Sequence, residues 1–226
     1  MSTIENLLIG VLAALLAAAI AFITATWRSK LVRRALTAVA STFLGVDVEY
    51  VFPQGVDAEP TIKEKLSRAQ HIRVFAGRGN ALQGDLFRPA FESVLVRKPF
   101  VQILLPDIEI KYQRIDWVES REREMATFDA SFGHGTLRRQ IDGTIHFLLP
   151  YVEPNRFEVR LYDLPLICRF VLTEEYLFLT PYSKFRHGRH CRVIQFGRGD
   201  IYDMFDRFFA LTWEAFGGTA LPTPSK

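Results

Sequence analysis

The feature that most restricts what this chain can fold into is an apolar run near its N-terminus. From Ile4 to Trp27 the sequence is almost wholly apolar. Its uncharged stretch of about 22 residues, at about 1.5 Å per helical residue, matches a hydrocarbon core of about 30 Å. The flanks are unequal: Glu5 precedes the run, whereas Arg28, Lys30, Arg33 and Arg34 follow it before any acid. Basic flanks stay on the cytoplasmic side. The expectation is therefore a single-pass anchor in the inner (cell) membrane, N-terminus outside and the rest cytoplasmic. A cleaved leader needs positive charge ahead of a shorter core, although Ala19 and Ala21 imitate a cleavage site.

Gly10, Ala14 and Ala18 recur every four residues, as do Ala13, Ala17, Ala21 and Ala25. That spacing lets helices approach closely, so the lipid bilayer and a second copy of the chain are the expected partners; alanine is equally a common filler in such helices. Leu31–Phe43 continues with helical spacing as a juxtamembrane segment. The division that follows is an anchor and juxtamembrane helix over 1–45, a cytosolic domain over 46–216 and a loose tail over 217–226.

Beyond the anchor, roughly 195 residues suit a single domain with its own core. With 19 Phe, 7 Tyr and 3 Trp the chain has ample apolar bulk to fold. A net charge of +3 is too small for bulk wrapping of nucleic acid, but arginines clustered locally can still hold a phosphate. Cys168 and Cys191 are too few for a disulfide framework and are expected as buried, reduced thiols.

Apolar patterning predicts strands at His71–Ala76, Pro99–Leu105, Phe157–Leu161, Leu166–Leu172, Tyr176–Thr180 and Arg192–Phe196. Helices are predicted over Leu82–Val96, Glu109–Met125, Asp129–Leu149 (interrupted near Gly133 and Gly135) and Ile201–Phe216. The last carries Phe205, Phe208, Phe209, Trp213 and Phe216 on one face, a core stripe. The early strand–helix alternation implies a parallel sheet. Glu174-Glu175 supplies a tight turn. The charged run Glu119–Glu124 reads as a solvated helix face.

The run Val159-Arg160-Leu161-Tyr162-Asp163-Leu164-Pro165, followed by Ile167-Cys168-Arg169-Phe170-Val171-Leu172-Thr173-Glu174, resembles the second part of a phospholipase D-like domain. The strand and loop at Ile72–Asn80, the strand at Phe100–Pro106 and the closing helix fit the same pattern, so the resemblance covers most of residues 60–216. It implies an α/β fold: an N-terminal transmembrane helix, then a domain with a mixed, mainly parallel sheet flanked by helices. That family carries His-x-Lys-x-x-x-x-Asp at the turn of a strand. Laid on this sequence, the His position falls on Ile167, the Lys position on Arg169 and the Asp position on Glu174. Cation and acid are kept in kind; the nucleophile is lost, and isoleucine has no lone pair to offer phosphorus. The chain is therefore expected not to be an enzyme, although His187 and His190 are imidazoles without the His-x-Lys spacing.

The candidate ligand site is the loop from Lys184 to Arg198, which gathers Lys184, Arg186, His187, Arg189, His190, Arg192 and Arg198 with Tyr182 and Phe185 interleaved, and Arg169 from the motif. Guanidinium forks grip phosphate and aromatic rings stack bases. Equally, such a hairpin can face anionic headgroups. Gly77-Arg78-Gly79-Asn80 lies between a strand and a helix, where backbone amides can nest an anion, so Arg78 and Asn80 join the site; the other reading of its glycines is a tight turn. His187-x-x-His190 lacks further ligands at metal spacing, and no metal or cofactor is expected.

The layout is similar to membrane effectors of bacterial anti-phage systems of the Hailong type. It implies a non-catalytic effector or sensor whose domain binds a nucleotide or single-stranded oligonucleotide and controls oligomeric, pore-forming helices. A membrane-tethered phosphodiesterase or phospholipase, or a membrane scaffold for a soluble partner, are the alternatives.

Overall fold

The computed structural model describes residues 39, 47–84, 99–109, 115–216 and 220–222. Apart from Val39, the anchor and juxtamembrane helix expected over 1–45 lie outside the described residues, as does most of the helix expected over Leu82–Val96. Among the described residues no helix is long and apolar enough to cross a membrane.

Seven strands form one sheet: β1 (Val48–Phe52), β2 (His71–Phe75), β3 (Phe100–Pro106), β4 (Phe157–Tyr162), β5 (Cys168–Leu172), β6 (Leu177–Pro181) and β7 (Val193–Phe196), in the order β1-β7-β6-β5-β2-β3-β4. β2, β3 and β4 run parallel. The pairs β1–β7, β7–β6, β6–β5 and β5–β2 are antiparallel. The expected mainly parallel sheet is thus corrected to a mixed one in which most pairings are antiparallel. Connection length is the reason: β5, β6 and β7 follow one another through residues 173–176 and 182–192, and links this short cannot carry a crossover helix.

Helices α1 (Gly55–Arg68), α2 (Asn80–Gln83), α3 (Trp117–Ala126) and α4 (Thr136–Leu148) pack on one face of the sheet, and α5 (Asp200–Ala215) on the other. Sequence patterning gives no element for β1 or α1. Pro53, Gly55 and Pro60 disguise the helix, yet Ala58, Ile62 and Leu66 recur every four residues and are buried. On the far face the closing stripe is core at Phe209 and Trp213, partly buried at Phe205 and Phe216, and exposed at Phe208. Phe75 stacks on Tyr162 at 4.3 Å and on Phe170 at 5.1 Å, and Phe209 and Trp213 close over them. Burying each such ring contributes about 1.5–3 kcal/mol.

The helix expected from Glu109 begins at Trp117, because Asp116 caps it and accepts from the Glu119 amide at 2.9 Å. The charged run Glu119–Glu124 is a solvated face only in part: Glu119 and Arg123 are exposed, whereas Arg121 and Glu122 are 7% and 5% exposed. Glu122 accepts from the amides of Thr136 and Leu137, holding the first turn of α4 to α3. Of the expected loose tail, residues 220–222 are described: Ala220 bridges Arg160, and Leu221 donates to the Val159 carbonyl at 3.0 Å.

Glu174 fastens the β5–β6 turn to the start of β2, accepting from the Gln70 amide at 3.0 Å and the His71 amide at 3.3 Å. Burial opposes its ionisation, but these backbone donors outweigh burial and hold the carboxyl below its ordinary range. A depressed folded-state pKa stabilises above the unfolded value, and that stability is lost as pH falls through the folded one. Glu174→Gln is expected to destabilise the fold by about 1 kcal/mol at pH 7, partial exposure reducing the usual worth of charged hydrogen bonds. The gap to the parent protein should close as pH falls below the carboxylate range, as urea unfolding across pH would show.

Candidate anion-binding site

β2 has a parallel neighbour, β3, on one side and an antiparallel neighbour, β5, on the other. At its C-terminal end the chain leaves the sheet through Gly77–Asn80, just where β5 enters it and β6 ends. A cavity of about 340 Å³ lies there. Arg78, Arg169 and Arg189 line it from three loops and strand ends, and Arg121 reaches it from α3.

Each guanidinium is positioned by named contacts. Arg78 donates to Gln140 Oε1 at 3.1 Å and lies over the Phe132 ring. Arg169 donates through Nε to Thr180 Oγ1 at 3.3 Å, and Arg189 through Nε to His190 Nε2 at 3.1 Å. Arg121 donates to Glu124 at 2.6 Å and to the Ser183 carbonyl at 3.0 Å. Among the described residues, it alone of the four is ion-paired. Burial pulls the Arg78 pKa down from its ordinary value; Tyr182 opposes that, and Arg169, Arg121 and Arg189 add to it. Four cations thus share one recess whose lining, among the described residues, holds a single acid, Glu59.

Tyr182 forms one wall, with the Arg121 guanidinium 5.2 Å from its ring centre. Its phenol oxygen takes the Gly77 amide, and burial raises its pKa. Gly77 permits this approach, since a Cβ there would stand 2.7 Å from the tyrosine ring. Gly79 has a φ of +78°, and a Cβ there would meet Thr144 at 2.5 Å. Both glycines therefore shape the turn, as one of the two sequence readings has it, and by doing so set Arg78 at the cavity.

The expected site residues divide. Arg78, Asn80, Arg169, Tyr182 and Arg189 line the cavity, Asn80 at its exposed rim. Arg186, His187 and His190 line a neighbouring open depression of about 530 Å³. Lys184 is exposed and lines neither. His187 Nε2 lies 2.8 Å from Asp129 Oδ2. Hydrogen bonds from the Ser131 hydroxyl and amide, then His187, hold the Asp129 carboxyl below its usual range.

Of the three motif positions, Arg169 faces the cavity. Ile167 is 70% exposed, and Glu174 lies five residues along the chain from Arg169, up to ~16 Å away. Sequence reasoning missed Arg121, Gln140 and Thr180. The signal for Arg121 was its helical register with Val118 and Met125, both buried. Chemically, the recess suits an anion. Tyr182 is a phenol whose raised pKa makes it a poor nucleophile. Cys168, pushed up to about 11 by burial, belongs to the cluster on the other side of the sheet.

No family model and no curated protein matches the chain. Among solved structures it is similar to the archaeal chromatin protein TrmBL2, described as showing a novel mode of DNA binding, at 15% identity and TM-score 0.45, over 95% of this chain and 70% of that one. It is similar to Nuc from Salmonella typhimurium, a phospholipase D family member, at 9% identity and TM-score 0.44, over 74% of this chain and 91% of that one. NucT from Helicobacter pylori gives 14% identity and TM-score 0.41, over 76% and 95%. Likenesses this distant assign neither family nor activity.

Gly77→Ala is expected to push the Tyr182 ring off its wall at a cost of about 1–3 kcal/mol, the usual penalty of overpacking. A lower melting temperature with altered Tyr182 fluorescence or NMR signals would register it; an unchanged melting curve would contradict the close packing.

Proposed function

We propose that the α/β domain is phospholipase D-like and binds a phosphate-bearing ligand, a nucleotide or short single-stranded oligonucleotide, without cleaving it. The observation that carries this reading sits at the start of β5. Ile167 stands largely exposed where a nucleophilic imidazole is required, while Arg169, two residues on, lines a cavity with three further arginines. Guanidinium forks match phosphate oxygens two at a time, and a recess partly closed to water strengthens that attraction. Among the described residues lining the cavity there is no histidine to serve as nucleophile or base.

Joined to the apolar run at 4–27, such a domain makes a ligand-controlled membrane effector of the kind used in anti-phage defence. One helix cannot enclose a water path, so a pore in this reading requires several copies. One observation favours a second reading, a membrane-tethered phosphodiesterase: His187 is oriented by the Asp129 carboxylate, as a general base would be.

Calorimetry on the full chain in detergent separates the readings. Nucleotide or oligonucleotide should bind, and Arg169→Ala should weaken binding at least about tenfold, each charge-assisted hydrogen bond being worth about 1.5–3 kcal/mol. Incubation with single-stranded DNA and with phospholipids should give no turnover. Hydrolysis that disappears in His187→Ala would replace the first reading with the second.

A further inference from the structure

The link from β6 to β7 has two faces, and only one serves the cavity. Gly188 and Arg189 face it, whereas His187 and His190 line the open depression, so the two recesses meet across the single helical turn Gly188–His190. Phe185 also lines the depression and is 72% exposed, with Phe128 set in the same recess and the exposed cations Lys184 and Arg186 on either side of Phe185. Isolated exposed apolar side chains are ordinary. This one sits on a pinned turn. Arg121 holds the Ser183 carbonyl, the Phe185 amide donates to Ser183 Oγ at 3.2 Å, Asp129 holds His187, and Gln54 Oε1 lies 3.3 Å from His190 Nδ1. Two rings and the Arg186 guanidinium lining one recess, with Lys184 next to Phe185 in the chain, suit a flat base with its phosphate, since stacking tolerates any base and cations follow the backbone.

We propose that this depression is a base-stacking subsite continuing the arginine cavity, so that the ligand is a single-stranded oligonucleotide of at least two residues. The inference rests on phosphate binding in the cavity and adds a second contact that a mononucleotide does not reach. Phe185 is the stacking platform and Arg186 the cation beside it. The His187–Asp129 pair holds the turn in place.

The test compares adenosine 5′-monophosphate with its 5′-phosphorylated dinucleotide, titrated into the full chain in detergent. Phe185→Ala should lower dinucleotide affinity about tenfold and leave monophosphate affinity within about twofold. Phe185→Trp should restore the dinucleotide. Equal losses for both ligands, or an unchanged dinucleotide affinity, would overturn the subsite while leaving the cavity reading intact. Loss of binding to phosphatidylserine vesicles with dinucleotide affinity unchanged would reassign the patch to a membrane surface. If the parent protein binds neither nucleotide, the cavity reading fails and the subsite with it.

Discussion

The site depends on β2 having unlike neighbours. A strand flanked on both sides by parallel partners delivers only C-terminal ends to one edge of a sheet. Because β5 runs against β2, its first residues arrive at the edge where β2 ends, and β6, antiparallel to β5, ends there too. Three loops and a strand start therefore converge, and the crevice between them is where open α/β sheets bind ligands, at the point where the topology changes. On the opposite face Phe75 stacks against Tyr162 and Phe170, tying β2 to its neighbour β5 and, across β3, to β4. The polar site above is held by an apolar clamp beneath it.

Tyr182 converts that topology into a shaped recess. It approaches Gly77 on one side and Gly188 on the other, and carries Arg121 over its ring. Arg121 in turn holds the Ser183 carbonyl, so α3 and the β6–β7 link are coupled through a buried guanidinium. Removing one partner of such a pair leaves the other desolvated, which is costlier than the pair is stabilising. The link carrying Arg189 is thus part of the rigid frame.

Much of the sheet was legible because its strands are short apolar runs bounded by turn residues: the expected strands from His71 to Phe196 all lie within a residue or two of the observed ones. Strand direction was not legible, since apolar runs look alike in parallel and antiparallel pairing and only link length separates them. β1 and α1 escaped because Pro53, Gly55 and Pro60 imitate a loop, and a helix held by tertiary packing tolerates them at a cost. At the site, five expected residues meet at one cavity because the motif resemblance and the strand–loop–helix pattern both mark strand ends. The rest of the basic loop lies elsewhere, Arg186, His187 and His190 in the neighbouring depression and Lys184 in neither recess, since sequence proximity cannot say which way a turn points its side chains. Arg121 was lost to a composition argument: alternating charge suggests solvent, and only its register with Val118 and Met125 says otherwise.

The distribution of charge about the recess calls for an anion. Four guanidiniums about one recess repel one another, and Arg78, partly stripped of water, bears the effect as a depressed pKa. In a hydrolase such crowding serves a transition state with developing charge, which requires a nucleophile to reach it. Here the same repulsion is relieved by a bound anion. Any ligand preferring the folded domain then stabilises it by mass action, and the stabilisation is transmitted to whatever the recess walls touch. Those walls are the ends of β2 and β6, the start of β5 and residues of the helices α1, α2, α3 and α4. Occupancy of one cavity can thereby bias the order of the elements that join both faces of the sheet, which is the physical requirement for a binding domain that signals.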